Sequence, residues 1–137
     1  MPELPEVETT KRGIEPYLIN RSFINCKIYN GSLRIPFAID SFLNIKNVQI
    51  KNITRIAKYI SIEFSNKSKL IIHLGMTGTL RVTDKMVNLK HDHVIFTTND
   101  SRYFIYNDPR RFGLLKILNE GDKFHLIDNN GPDPFQS

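Results

Sequence analysis

The apolar positions near the start of the chain repeat with the period of a helix. Between Pro5 and Leu18 they fall on one side, and Glu6, Thr10 and Gly13 form a narrower polar stripe. Proline suits the first turn of a helix because that turn needs no backbone N–H. The pattern therefore predicts an N-terminal helix that packs on a sheet through Leu4, Val7, Ile14, Tyr17 and Leu18.

From Ser22 onward the apolar period changes to two, which is typical of β-strands. Short apolar or alternating segments bounded by turn residues lie at 22–29, 48–50, 53–56, 59–64, 70–74, 80–82, 93–98, 103–106 and 114–118. A second short helix is predicted over 36–43. The pattern favours a mixed, mainly β fold, an antiparallel β-sandwich of about eight strands with an N-terminal helix and a second short helix.

The length of 137 residues suits one domain, predicted over 1–130. In the segment 131–137, one proline follows a glycine and the next follows an aspartate, which predicts the beginning of a linker. We therefore expect this domain to be part of a longer protein. Residues 1–18 carry four Glu and no long apolar run, which predicts neither a signal peptide nor a membrane span. We expect a monomer in the cytoplasm.

The net charge of +5 is unevenly distributed: residues 21–70 hold nine basic and two acidic side chains, while residues 1–20 are acidic overall. This asymmetry favours a polyanionic partner whose chemistry takes place at the acidic N-terminal end. Cys26 is the single cysteine, which argues against a disulfide framework or a cysteine metal cluster and fits a reducing compartment. Cys26 and His125 are interpreted as structural residues.

The N-terminus offers a candidate nucleophile. Removal of Met1 would leave Pro2 with a free secondary amine, which can attack an electrophilic carbon and form an iminium. An α-amino group with a pKa of about 7.7–8 keeps a usable neutral fraction near neutral pH. Glu3 and Glu6 can crowd the same volume and divide into a proton donor and a charge stabiliser. The alternative is an ordinary helix start whose acidic residues complement the macrodipole.

Lys58 is a candidate site residue within the segment 55–59. Strand alternation would place it on the same face as the apolar Ile56 and Ile60. A lysine on an inward face is costly unless it is paired. It is either a strand-end lysine that reaches water along its alkyl stem or a lysine held in a site for phosphate binding or proton transfer.

Two loops carry bulky residues between glycines. Met76 lies between Gly75 and Gly78, where it is either a core plug or, if exposed, a wedge for the gap that a departing base leaves in a stack. In the segment 108–113, an extended backbone would project Arg110 and Phe112 together, as a guanidinium and an aromatic ring suited to bases. The alternative for that segment is a β-turn with a surface arginine pair.

Two histidines, His91 and His93, would share one face of a strand and could bind a metal. Zinc sites need further ligands, and the sequence shows no matching set, so we expect no metal site. Histidines that bind phosphate fit the basic middle of the chain better.

These motifs together resemble bacterial formamidopyrimidine-DNA glycosylase. The match extends over the whole chain in order and spacing, and its six motifs are residues 1–9, 55–59, 73–78, 90–93, 108–113 and 131–134. The resemblance implies a base excision repair enzyme that removes oxidised purines (8-oxoguanine and formamidopyrimidines) and cleaves abasic sites through a Schiff base. Its expected partner is double-stranded DNA that contains oxidised purines or abasic sites, in the bacterial cytoplasm or on the nucleoid.

The resemblance also implies roles for single residues. Pro2 would be the nucleophile, Glu3 the acid that protonates the sugar ring, and Lys58 the proton donor in β-elimination, with Glu6 also in the catalytic set. Contacts to DNA would come from His73, His91, Arg110, Met76 and Phe112, and the last three would fill the space of the flipped lesion. The family has a C-terminal domain with a zinc finger, so zinc is expected there and no cofactor in this chain.

Three alternatives remain at the level of sequence. The chain could be a non-catalytic damaged-DNA binding module that keeps the wedge residues, or a fragment with weak or no activity without its C-terminal domain. A metalloenzyme built on His91 and His93 is the third. Retention of Met1 would also block Pro2, because its nitrogen would then be a tertiary amide.

Overall fold

The computed structural model describes residues 4–29, 37–86 and 89–123. Helix α1 covers Leu4–Leu18, and a short 3₁₀ helix covers Ile39–Asn44. The eight strands are β1 (Phe23–Ile28), β2 (Ile50–Ile56), β3 (Tyr59–Phe64), β4 (Lys69–His73), β5 (Thr79–Thr83), β6 (Asp92–Thr98), β7 (Tyr103–Asn107) and β8 (Leu114–Leu118). These elements confirm the predicted fold class and the predicted order of helices and strands.

The strands form two antiparallel sheets of four, with the orders β1-β6-β7-β5 and β2-β3-β4-β8. Apolar side chains from both sheets pack between them. Phe23 stacks on Phe96 and Phe104 with ring centroids 4.7 and 5.7 Å apart, and it meets Phe64 of the other sheet edge-on at 6.1 Å. Such aromatic pairs stabilise a core beyond the area that they bury.

Helix α1 contributes Val7, Ile14 and Leu18 to the same core and packs against β2, β3 and β5. The prediction was wrong for Tyr17, which is 42% exposed. Its ring lies beneath the guanidinium of Arg102, 5.0 Å from the ring centroid to Cζ. An aromatic ring at the edge of the apolar stripe can thus find a cationic partner at the surface instead of a place in the core.

A β-bulge in β1 changes which of its residues face inward. The pairing with β6 shifts between Phe23 and Asn25, so Phe23 is buried while the adjacent Ile24 is 42% exposed. Beyond the bulge, Cys26 and Ile28 pack against the core. A simple alternation through 22–29 cannot assign the inward-facing residues at both ends of this strand, because the extra residue of the bulge moves the later side chains to the opposite face of the sheet.

Strand register brings several connections to one end of the sandwich. Ile56 pairs with Tyr59, Tyr59 with His73, and His73 with Leu114, so the turn 57–58 and the loops 74–78 and 108–113 lie at the same end. The turn 89–91 joins them, because Asp92 at the start of β6 pairs with Asn107. We call this the loop end of the sandwich.

Helix α1 also points its first turn toward the loop end. The amide of Asn20, just after the helix, donates to the carbonyl of Ile50 at the far end of β2. Glu8 near the helix start contacts Arg55 near the other end of that strand. Among the described residues, no helix combines the length and the apolar character needed to cross a membrane.

Candidate nucleic-acid interface

The loops 74–78 and 108–113 both cross between the two sheets, and we call them the paired loops. Their backbones touch: a Cβ on Gly75 would lie 2.9 Å from the nitrogen of Gly113 and from the carbonyl carbon of Phe112. A Cβ on Gly113 would lie 1.7 Å from the hydroxyl of Tyr106 and 2.7 Å from the carbonyl oxygen of His73. Close packing therefore requires both glycines, Gly75 against the second loop and Gly113 against strand β7 and the end of β4.

The buried carboxylate of Asp108 lies at the centre of the paired loops. Its Oδ1 accepts from the hydroxyl of Thr77 at 2.7 Å and from the amide of Arg110 at 3.2 Å. Its Oδ2 accepts from the hydroxyl of Tyr106 at 2.6 Å and from the amide of Gly113 at 2.9 Å. Each oxygen thus holds one hydroxyl and one backbone N–H, which satisfies a charge that is fully buried.

The electrostatics of Asp108 follow from these contacts. Burial raises the pKa of its carboxyl, but the hydrogen bonds from Tyr106, Thr77 and Gly113, together with the nearby backbone N–H of Arg111, outweigh burial, so the pKa lies below its ordinary value of 3.8. Burial and the bond to Asp108 both raise the pKa of Tyr106. The carboxylate is therefore ionised and the phenol neutral across the physiological range.

The backbone of Asp108 extends the same network to the turn 89–91. Its amide donates to the carbonyl of His91 at 3.0 Å, and its carbonyl accepts from Nε2 of the buried His93 at 2.7 Å. Because a carbonyl accepts this bond, the proton is on Nε2 of His93. Nδ1 of the same ring is buried and has no hydrogen-bond partner among the described residues. One aspartate consequently connects both paired loops and the turn that carries His91.

Three side chains project outward from this framework. Met76 is 45% exposed and Phe112 is 42% exposed, which favours the wedge interpretation of Met76 over a core plug. The guanidinium of Arg110 lies over the ring of Phe112, with Cζ 5.4 Å from the centroid. Arg110 and Phe112 thus lie side by side, but not on an extended backbone: Arg111 has φ +62° and donates to the carbonyl of Asp108 at 3.3 Å, so the segment forms the β-turn that was the alternative.

His73 ends β4 at the base of the first paired loop. It is buried, and its Nδ1 accepts from the amide of Gly75 at 3.0 Å, so its neutral ring carries the proton on Nε2. Its ring meets Tyr59 edge-on with centroids 4.7 Å apart. Its contact with phosphate stays a prediction.

Lys58 does not lie on a strand face as the alternation suggested. Ala57 and Lys58 form the two-residue turn between β2 and β3, and Ala57 adopts φ +52° there. The expectation failed because the segment 55–59 contains no Gly, Asn or Asp to announce a tight hairpin. The turn presents the half-buried Lys58 at the loop end, next to Tyr59, which pairs with His73 on the neighbouring strand β4.

The turn that carries Lys58 is tied to helix α1 through Arg55. The Nε of Arg55 donates to Glu8 at 2.8 Å, and its Nη1 donates to the carbonyl of Ala57 at 3.0 Å. Arg12 binds the other oxygen of Glu8 at 2.9 Å. The bonds from Arg55 and Arg12 lower the pKa of Glu8 from 4.5 to about 2.

The remaining predicted catalytic residues are Pro2, Glu3 and Glu6. Glu6 is exposed in the first turn of the helix, at the loop end. Pro2 and Glu3 lie outside the described residues, as do His125 and the predicted linker 131–137. The structure therefore brings Glu6, Lys58, His73, Met76, His91, Arg110 and Phe112 to one end of the molecule.

The predicted metal alternative finds no support. His91 precedes β6 in a turn with φ +69°, so strand alternation does not pair it with the buried His93. Within residues 4–29, 37–86 and 89–123, no three His, Cys, Asp or Glu side chains are grouped closely enough to hold a metal ion. Burial raises the pKa of Cys26 to about 12, which keeps its thiol protonated and unreactive.

Sequence reasoning missed the supporting residues Asp108, Arg55 and Glu8 as individual actors. In the sequence, Asp108 and Arg55 stand out only as members of their motifs, and Glu8 only as one of the acidic residues near the N-terminus. A signal existed for Asp108, because an aspartate before Pro109 commonly accepts local backbone N–H groups in a turn. No local signal links Glu8 to Arg55, which lies 47 residues further along the chain.

The chain belongs to the formamidopyrimidine-DNA glycosylase N-terminal domain family, whose model matches residues 1–115. It is 42% identical to the formamidopyrimidine-DNA glycosylase of Hahella chejuensis over 136 residues, 98% of this chain and 50% of that protein. It therefore spans about half the length of the curated relatives it matches.

Solved structures agree in fold. The formamidopyrimidine-DNA glycosylase of Lactococcus lactis, non-covalently bound to DNA that contains an abasic site, matches with a TM-score of 0.77 at 27% identity. That match covers 86% of this chain and 45% of the other. A structure of MutM in complex with DNA containing carbocyclic 8-oxo-G also has a TM-score of 0.77, at 29% identity over 87% of this chain and 45% of that one.

Proposed function

We propose that this chain is the catalytic N-terminal part of a DNA glycosylase that removes oxidised purines and cleaves the resulting abasic site. The proposed partner is double-stranded DNA with an oxidised purine or an abasic site. The observation that carries the proposal is the convergence of sequence-distant motifs on the loop end. Lys58, His73, Met76, His91 and Arg110 come from separate segments, yet strand register brings all of them to one end.

The exposed side chains support a duplex with one nucleotide extruded. Removing a nucleotide from the stack costs a few kcal/mol. The apolar Met76 and Phe112, both exposed at the loop end, can occupy the vacated space, and Arg110 can face the base left without its partner. The relatives with solved structures are bound to DNA containing an abasic site or 8-oxo-G, which agrees with this class of ligand.

The proposed chemistry begins at Pro2. After removal of Met1, its neutral amine attacks C1′ of the damaged nucleotide and displaces the base, which leaves with the proton of the amine. Glu3 protonates O4′ of the sugar ring, the C1′–O4′ bond breaks, and an iminium remains. Water then takes the C2′ proton that the iminium has made acidic, the C3′–O bond breaks, and the 3′ phosphate leaves with a proton donated by Lys58. Glu6 stabilises charge next to the amine, and His73 and His91 contact phosphate.

Covalent capture tests this chemistry directly. Borohydride reduces an iminium, so it should trap Met1-free protein on a duplex with a preformed abasic site, and peptide mapping should find the sugar on Pro2. A mass spectrum of the intact protein is needed first, because protein that retains Met1 should form no adduct. An adduct mapped to Lys58 instead would refute Pro2 as the nucleophile.

We further propose that this half-length chain is a weak enzyme by itself. Each phosphate neutralised adds about −0.9 to the slope of log affinity against log salt, so fewer contacts should give both weaker binding and a shallower slope. We expect slow β-elimination at abasic sites and little excision of an intact 8-oxoguanine. Excision at the rate of the full-length parent, at equal salt, would contradict this expectation.

A second candidate is a damaged-DNA binding module without chemistry. The exposed Met76 and Phe112 favour it, because among the described residues the hydrogen bonds to Asp108 that hold the paired loops come from the loops themselves and from strand β7. This module would bind abasic duplex in preference to intact duplex and form no adduct, even with Met1 removed. Trapping at Pro2 would exclude it.

A further inference from the structure

The buried carboxylate of Asp108 is the group through which the paired loops are fixed to each other. Thr77 belongs to the first loop, and Arg110 and Gly113 belong to the second, yet all three donate to this one side chain. Thr77 also accepts from the amide of Arg110 at 3.2 Å. Two residues from separate loops are therefore bonded both to each other and to Asp108.

From this arrangement we propose that Asp108 is the positioning residue that fixes Met76, Arg110 and Phe112 in one preformed geometry for insertion into damaged duplex. The inference rests on the proposed function and deepens it. Met76 precedes Thr77, and Phe112 precedes Gly113, so each exposed side chain is one residue away from a donor to Asp108. A side chain held in its bound geometry loses less conformational entropy when it inserts.

A carboxylate is the only side chain of its size that can serve all four donors. An asparagine would replace one oxygen with an NH₂ group. In either orientation of the amide, that NH₂ would face a backbone N–H, of Arg110 or of Gly113, because each oxygen of Asp108 serves one of them. The neighbouring hydroxyls can rotate to accept, but a backbone N–H cannot, so in either orientation the second paired loop would lose one of its two backbone bonds to residue 108.

Thr77→Val tests the link with little change of shape. It removes the bond from Thr77 to Asp108 and the bond from Arg110 to Thr77, which are both contacts between the paired loops. Tyr106→Phe is the matched control, because it removes a similarly buried bond to Asp108 that comes from strand β7 rather than from a paired loop.

The primary measurement is selectivity, the affinity for an abasic site in duplex divided by the affinity for the same site in a single strand. Only the duplex has a stack to fill. We expect Thr77→Val to lower this ratio about tenfold, in line with the loss of a hydrogen bond to a charged group. Tyr106→Phe should lower thermal stability but change the ratio less than about twofold. In a Met76→Ala background, Thr77→Val should lower the ratio little further.

A second measurement needs no DNA. The methyl group of Met76, isotopically labelled, should show a lower order parameter in Thr77→Val than in the unsubstituted chain, and an unchanged one in Tyr106→Phe. Equal effects of the two variants on selectivity and on methyl order, or none from Thr77→Val, would overturn the positioning role. An unsubstituted chain without selectivity for duplex would instead overturn the proposed function, and the methyl order would then decide the role of Asp108 independently.

Discussion

Two regions of the loop end hold their functional side chains in different ways. The paired loops are fixed by Asp108, which is fully buried and accepts from four groups inside the protein. The turn that carries Lys58 is fixed by Arg55 and Glu8, whose side chains are 31% and 27% exposed. The first region depends on packing and buried hydrogen bonds, and the second on an ion pair that water and salt can reach.

This difference matches the tasks proposed for the two regions. Side chains that fill a gap in a stacked duplex must keep their conformation while they contact the neighbouring bases. A buried hydrogen-bond network holds them in that conformation. A lysine that transfers a proton must adjust as the substrate changes along the reaction, and a turn tied by an accessible ion pair leaves it that freedom. Four experiments should separate the two regions.

The largest effect should come from glycine substitutions that compare the paired loops with helix α1. Gly113→Ala places a Cβ against the hydroxyl of Tyr106 and the carbonyl of His73, so we expect it to lower the free energy of unfolding by about 3 kcal/mol. Gly13→Ala is the matched control, because a Cβ there meets nothing within 4 Å, and it should stabilise α1 by about 0.5–1 kcal/mol. Urea unfolding of both variants measures the difference, and equal stabilities would contradict the close packing of the paired loops.

A smaller loss is expected when the two carboxylates are neutralised. Asp108→Asn should lower the free energy of unfolding by about 1–3 kcal/mol, because one buried N–H loses its acceptor. Glu8→Gln should have a smaller effect because its site is open to water. At 1 M NaCl the effect of Glu8→Gln should disappear and that of Asp108→Asn should persist. A loss for Asp108→Asn that vanished in salt would indicate that its network is solvated.

Arg55→Ala should slow the proposed elimination step while changing stability little. Without Arg55 the carbonyl of Ala57 loses its partner and the turn loses its link to helix α1, so Lys58 moves over a wider range of positions. We therefore expect a threefold to tenfold lower rate. Arg12→Ala is the control, because Arg12 binds the same carboxylate but is 76% exposed and lies on α1 itself. Single-turnover cleavage of abasic duplex compares them, and equal rates for both variants would remove Arg55 from this role.

The smallest effect concerns pH. The folded pKa of Glu8, about 2, is lower than its ordinary value of 4.5, so its contribution is complete above pH 4.5. As pH falls from 4.5 toward 2, the unfolded chain binds a proton that the folded chain does not, and the contribution is lost. The free energies of unfolding of the unsubstituted chain and of Glu8→Gln, measured as a function of pH, should therefore converge as pH falls through this interval. Curves that stay parallel would show that Glu8 is not paired in solution.

The sequence was a good guide wherever a structural signal is local. The number and order of strands follow from apolar segments between turn residues, and β8 was predicted at its observed bounds, Leu114–Leu118. Met76 and Phe112 could be identified as loop residues because a glycine is adjacent to each, and Arg110 because it follows Asp108-Pro109. A glycine beside a bulky residue indicates a backbone conformation or a close contact that only glycine allows. This can be inferred from the sequence without knowing the rest of the fold.

Prediction failed where the outcome depends on register. The bulge beside Phe23 reverses the faces of β1, and the left-handed Ala57 turns the chain at a position without a turn residue. The central place of Asp108 depends on loops that are far apart in sequence, and the contact between Glu8 and Arg55 spans 47 residues. Such relations are decided by tertiary pairing, which no single stretch of sequence encodes.

The crossing of both paired loops from one sheet to the other has a consequence for the order of folding. Neither loop can reach its final form until β4 and β8 have joined one sheet and β5 and β7 the other. These strand pairs join segments that are far apart in sequence, and forming them is slow compared with forming a single hairpin. The amide proton of Gly113, which is bonded to Asp108 beneath the contact between the loops, should therefore gain its protection against hydrogen exchange late, after the central strands of each sheet are already protected.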